Sequence, residues 1–214
     1  MLIVLTCLTF DTMHEKAVRY LIYAQVSFFG CLLAAVFITT AGFRDNHGLS
    51  FYGVNYPSII PFGLGLVLCT LFLLKAAAEL PVRNHPFDKL QPLLRIIALL
   101  LFAILITPDT LGVWFYYVHV ATASLLFSLE LLVAIWLAWK WNSNIFTWTL
   151  LAVQFVAGVV ALLSQAHVIR YLSQSSLIFQ LVFAVLLVWS ISQLIGHAKE
   201  SQYSSKKQVA VSTK

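Results

Sequence analysis

Two side chains inside one long apolar run are the first candidates for chemistry. His119 and Glu130 lie eleven residues apart in the stretch from Gly112 to Trp139. Eleven residues is close to three turns of an α-helix, so both project from one face, with Ala123 and Leu126 between them. At 1.5 Å per residue, His119 lies roughly 10 Å and Glu130 roughly 27 Å along from the helix start. Ionisable groups within membrane-crossing segments are costly, and they are the default places to look for function. Glu130 therefore needs a partner, a proton or water. The nearest cations by depth are Lys75 and Arg95, each near the end of its own apolar run. A contact from Glu130 to Lys75 or Arg95 would tie helices together as an intramembrane ion pair, and this tie is the first expectation. A proton relay or substrate contact is the second, and a carboxylate facing a water-filled vestibule the third. His119 is expected to hydrogen-bond across a helix bundle rather than to act as a ligand.

Metal and redox chemistry find little to work with. Haem held by two histidines would need a second axial His at matching depth. His167 is the one candidate, and it sits in a loop-like Ser-Gln-Ala-His segment. A zinc hydrolase needs about three ligands around an open position. Asp45, His47, Asp109 and His167 fall on one side of the apolar runs, but their spacing carries no metal signature. The three cysteines form no framework. Cys31 and Cys69 lie at mid-depth in neighbouring runs, where a thiol behaves as a small hydrophobe. No metal and no cofactor is assigned.

The most individual segment runs from Gly42 to Pro57, where aromatics alternate with polar groups and Gly48 and Gly53 permit turns. Its first expectation is a lid folded onto the bundle. The sharper reading makes Arg44, Asp45, Asn46 and His47 the polar contacts of a lipid headgroup or small solute, since loops carry function more often than packed spans do.

The elements that must position these groups follow from composition. Hydrophobic residues make up 61% of the chain, charged ones 10%, and the mean hydropathy is +0.91. Soluble domains carry about 25% charged residues. Six stretches approach the roughly 20 apolar residues a bilayer crossing needs. They run from about Val18 to Thr40, Ile59 to Leu80, Leu93 (or nearer Leu90) to Thr107, Gly112 to Trp139, Ile145 to Ser164 and Ser176 to Ile195. Each must be helical, because an isolated strand would leave amide groups unpaired in hydrocarbon. The fold class is thus an all-α polytopic membrane helix bundle with six transmembrane helices. The domain reading is a leader or interfacial segment over 1–16, the transmembrane domain over 17–196, and a disordered cytoplasmic tail over 197–214. Met13 is an alternative start.

Charge fixes the sides. With the N-terminus inside, eleven of the thirteen Lys and Arg fall on the inner side and only Arg44 and Arg170 outside. That bias places both termini in the cytoplasm. The net charge of +5 is then a matter of topology, and no basic patch in a foldable soluble domain points to nucleic acid. Tyr52, Tyr56, Trp114, Tyr116, Tyr117 and Tyr171 gather near the outer boundary, and Tyr20, Trp136, Trp139, Trp141 and Trp148 near the inner one. Amphipathic rings prefer that depth.

Gln25, Gln154, Gln180 and Gln193 put amides in or near other helices, where such groups usually bond across helices. Gly30 with Ala34, Ala157 with Ala161, and Ser124 with Ser128 have the four-residue spacing of close helix contacts. No sequence repeat relates the two halves, which gives an inverted-repeat transporter no support.

The polar loop leading into Pro61-Phe-Gly-Leu-Gly65, and the segment His119-Val-Ala-Thr-Ala-Ser-Leu-Leu-Phe127, resemble the six-helix group around the damage-regulated autophagy modulator (DRAM) family and its bacterial relatives. The resemblance covers residues 17–196 in topology, and in motif only the loop and the His119 segment. It implies a membrane protein, with some members linked to lipid organisation. The chain lacks the longer acidic outer loop of the animal members, so an autophagy role is not carried over. Short loops and a brief tail fit a prokaryotic plasma-membrane protein. No catalytic motif is present. The leading function is binding of a membrane lipid, or of a partner membrane protein or second copy. The alternative is a small-solute or proton-coupled transporter using Glu130 and His119, and a membrane enzyme comes third.

Overall fold

A computed structural model describes residues 13–44, 48–80, 87–141 and 144–212, with the side chains of 13–15, 44, 87, 109, 141 and 195–212 left out. Among the described residues every regular element is helical. The long helices are α1 (Met13–Ile38), α2 (Ile59–Glu79), α3 (Phe87–Ile106), α4 (Val113–Trp141), α5 (Ile145–Gln165) and α6 (Leu172–Ser212). All six hold a window long and apolar enough to cross a bilayer. In hydrocarbon the backbone has no water to bond, so an apolar run lowers its free energy by closing its own i to i−4 bonds. A helical turn at Ala41–Arg44 and a 3-10 turn at Leu49–Gly53 lie between α1 and α2, and a 3-10 turn at Asp109–Leu111 between α3 and α4.

Successive helices alternate in direction, and short polar contacts fix the corners. Gln91 Nε2 donates to the Ala77 carbonyl at 3.0 Å, joining the end of α2 to the start of α3. Asn144 caps α5, its Oδ1 accepting from the Thr147 amide at 2.8 Å and from the Thr147 hydroxyl at 2.9 Å. Such a cap satisfies amides that a helix start leaves open. At the other end of α5, the Val168 amide reaches the Leu163 carbonyl and the His167 amide the Ser164 carbonyl. His167 takes the left-handed position at φ 60° that closes this turn. It is a turn residue, so its geometry answers to the backbone. The start of α1 and the α4–α5 corner share one face of the bundle, here the terminal face. The 41–58 segment and the α3–α4 and α5–α6 corners share the opposite, loop face.

The sequence boundaries shift at two helices. α3 begins at Phe87, ahead of the expected Leu90, because Pro92 falls within its first two turns and leaves little backbone bonding to lose. α6 begins at Leu172, ahead of Ser176. Ser173, Gln174 and Ser175 dilute the apolar signal, yet Ser175 Oγ bonds back to the Tyr171 carbonyl and extends the helix. α6 also runs on to Ser212, where composition suggests a disordered tail. After Gly196 that stretch holds no Gly or Pro to break a helix.

Two groups of three helices make the bundle. α2 packs on α1 and α3, α6 packs on α5 and α4, and the groups meet along α3 with α4 and α1 with α6. α2 buries a stripe of Phe62, Gly65, Leu66, Cys69, Leu73 and Ala76, the i, i+3, i+4 spacing of one helix face. Gly65 lets α2 come close to α1, since a Cβ there would stand 2.7 Å from the Cys31 Cβ. Gly65→Ala is expected to push α1 outward and cost about 1–3 kcal/mol, read as a lower unfolding temperature in detergent. Gly30→Ala is its control, since nothing lies within 4 Å of that site. The Gly30 and Ala34 pair, expected to pack, faces outward, as do Ser124 and Ser128; Ala157 and Ala161 are buried as expected.

The surface is as apolar as the core. Trp114 is 82% and Ile145 86% exposed, among dozens of open large hydrophobic side chains. Exposed apolar area on that scale is unfavourable in water and requires lipid around it.

Candidate functional site

Glu130 is 2% exposed and His119 8%, on one stripe of α4 with Leu126, Val133 and Leu137. The shared face expected from their spacing is present. They are not one site, because eleven residues separate them by roughly 16 Å along the axis. His119 Nδ1 lies 2.8 Å from the Thr107 carbonyl. A carbonyl only accepts, so Nδ1 carries the proton and the ring holds the α3–α4 corner at the loop face.

Glu130 does not form the expected ion pair. Its Oε2 accepts a 2.8 Å hydrogen bond from Gln180 Nε2 on α6. Lys75 and Arg95 lie on outward faces of α2 and α3. Lys75 Nζ sits 5.7 Å from the Tyr20 ring centre and 6.0 Å from that of Phe72. A long cationic stem laid over aromatic rings lets the ammonium reach the headgroup region, and there it needs no carboxylate partner. Sequence depth brought these charges level, but helix rotation pointed them apart.

Three polar groups share the Glu130 layer. Phe127 stacks on Phe179 at 4.6 Å, and Phe179 closes on Gly158, where a Cβ would stand 3.2 Å away. One turn toward the terminal face from this rung come Glu130 on α4 and Gln154 on α5, with Gln180 on α6 just below Phe179. Gln154 is fully buried, and neither end of its amide has a partner. All three side chains come from the α4–α5–α6 group.

The loop lies on the bundle. Tyr52 is fully enclosed, its ring 5.6 Å from Phe51 and 6.5 Å from Phe62. Ser173 Oγ donates to the Gly42 carbonyl at 3.1 Å, fastening the segment to α6. The described part is therefore a lid, as first expected. Asp45, Asn46 and His47 and the Arg44 side chain lie outside the described residues, so the headgroup contacts assigned to them are not placed.

A second feature escaped the sequence. A groove of about 520 Å³ lies between α5 and α6 and opens sideways onto the lipid-facing surface. Ala152, Val153, Val156 and Val160 form its floor, and Tyr171, Gln174 and Ile178 line it from α6. From Thr149 to Val160 it extends eleven residues, roughly 16 Å. The walls are apolar, and the polar lining of α6 gathers at the loop face. Thr149, Ala152, Val153, Val156 and Ile178 read as ordinary lipid-facing surface. Only the low profile of Ala152 and Ala157 beside bulkier Val and Ile marks a depression.

These features define a class. The chain is a multi-pass integral membrane protein built as a six-helix bundle with one buried polar layer. Compared with known proteins, it matches no family model, no curated protein and no solved structure. Among the described residues no three His, Cys, Asp or Glu side chains converge as a metal would require.

Proposed function

We propose that this protein binds a membrane lipid in the α5–α6 groove. The groove itself carries the reading: an apolar slot, open to the bilayer, with Tyr171, Gln174 and Ser175 at its loop-face end and, at the other end, a Thr149 hydroxyl that donates back to the Ile145 carbonyl of its own helix. Ligand sites are mostly apolar, with a few placed polar groups. A lipid has that same division, an apolar tail below a polar head. The resemblance to the DRAM-like group is of the same kind. The charge bias supports both termini in the cytoplasm of a prokaryotic plasma membrane, with the lid and the groove mouth outside.

The test fills the slot. Val156 is 59% exposed on the groove floor, so Val156→Trp adds bulk without entering the core. The variant is expected to fold and to lose a stoichiometric lipid that the native chain retains in mild detergent, read by native mass spectrometry. Equal retention by both proteins would remove the groove from the account.

A second reading rests on the polar layer. Glu130, Gln180 and Gln154 lie at mid-helix within the α4–α5–α6 group, at the depth where transporters hold coupling ions. It makes Glu130 the carrier of a proton or small cation, with His119 left as a corner tie.

A further inference from the structure

The groove is apolar along its α5 side, open to the bilayer, and lined by Tyr171, Gln174 and Ser175 at its loop-face end, and these features constrain its occupant. From Thr149 to Val160 its α5 side runs roughly 16 Å, close to half of a hydrocarbon core of about 30 Å. It therefore matches the tail depth of a single leaflet. The floor residues Ala152, Val153, Val156 and Val160 offer no polar partner along that length. At the mouth the chain turns. Tyr171 lines the groove there and is 59% exposed, and Arg170 precedes it, also exposed. Among the described side chains Arg170 is the cation of the loop face. The mouth is also stiff. The Tyr171 amide donates to Ser164 Oγ at 3.1 Å, and Ser175 Oγ returns to the Tyr171 carbonyl. Gln174 turns its Nε2 toward the Phe43 carbonyl of the lid, at 3.5 Å. These contacts fix the backbone of Tyr171 at the loop-face end of the slot, and Arg170 is its exposed chain neighbour rather than a lining residue.

We infer that the α5–α6 groove takes one acyl chain of a phosphate-bearing lipid from the loop-side leaflet, with the phosphate at Arg170 and Tyr171. This rests on the lipid reading above and adds the headgroup. Charge complementarity selects the head: a guanidinium at headgroup depth pairs with phosphate oxygens through two parallel N–H donors. Tyr171, which lines the groove, carries a further hydroxyl donor. The apolar floor selects the tail. A second copy of the chain, or another protein's helix, would cover the floor without using the guanidinium next in the chain to Tyr171.

Two lipids that differ only in the phosphate separate these points. Dioleoyl phosphatidic acid and dioleoyl glycerol are titrated onto the purified full-length protein and counted as adducts by native mass spectrometry. The native chain is expected to bind one phosphatidic acid, about five-fold tighter than the glyceride, the effect of one interfacial Arg on an anionic head. Arg170→Gln should bring phosphatidic acid down to the level of the glyceride and leave the glyceride unchanged. Val156→Trp should abolish both, while Phe155→Trp, on α5 but outside the groove, should abolish neither. Equal binding of the two lipids to the native chain, still blocked by Val156→Trp, would overturn the phosphate assignment and leave the lipid reading standing. Binding of both lipids untouched by Val156→Trp, or a dimer that dissolves in that variant with no lipid bound, would overturn the lipid reading itself.

Discussion

Tyr52→Ala should release the lid and cost about 3–5 kcal/mol, the range for removing a buried aromatic side chain. Tyr52 is fully enclosed although it belongs to a connecting segment. Its ring fills the space between Phe51 and Phe62, close under Gly42. With the ring gone, the Ser173 bond to the Gly42 carbonyl and the longer Gln174 bond to the Phe43 carbonyl remain to hold the segment to α6. Faster proteolysis between α1 and α2, with the remaining bundle intact, is the expected readout. Tyr52→Phe should keep the lid closed. The same residue gives a pH dependence. Burial raises its phenol above the usual tyrosine value, and the Phe43 backbone opposes this in part. A group whose folded pKa is raised contributes stability that is present below its unfolded value, about 10, and lost as pH rises through the folded one. Lid protection should therefore hold at neutral pH and fall only in strong alkali. Protection lost near pH 7 would mean that another group fastens the lid.

Glu130→Leu and Glu130→Gln should separate two roles for one carboxyl. The leucine leaves the Gln180 amide without its acceptor in a buried layer. An unsatisfied buried donor costs about 1–3 kcal/mol, so a lower unfolding temperature is expected. The glutamine restores an acceptor oxygen and should fold like the native chain. If the polar layer carries protons or cations, Glu130→Gln should abolish flux in proteoliposomes while the bundle stays folded. Undiminished flux would leave Glu130 as a structural tie between α4 and α6. A loss of stability in the glutamine variant equal to that in the leucine would show that the bond to Gln180 does not hold the layer together.

The bundle was readable in the sequence because lipid removes alternatives. A run such as Ile59–Glu79 has one way to satisfy its backbone, so its helix follows from composition alone. Periodicity was enough to put His119 and Glu130 on one face of α4. Rotation about the axis was not available for helices that are apolar all round. Lys75 and Arg95 therefore looked like partners of Glu130, whereas Gln180, seen only as one amide among several, is the actual donor. Gly65 was equally hidden. It carries a close contact, while the better-spaced Gly30 faces lipid, and the two differ only in which way their helix is turned. The groove had no signature, because a slot between α5 and α6 depends on how far two helices stand apart. What a linear pattern encodes well is the environment of each residue. It encodes less well which of several equivalent neighbours a residue meets.

The direct measurement of the central claim is photo-crosslinking in native membranes. Cells grown with a fatty acid carrying a diazirine on its tail would be illuminated, and the labelled residues read by peptide mass spectrometry. Label concentrated at Val153, Val156 and Ile178, and lost in Val156→Trp, is the result expected of an occupied groove. Label spread evenly over outward residues such as Val26, Leu33 and Leu64 would contradict it, since that pattern belongs to a bundle that merely sits in its solvent.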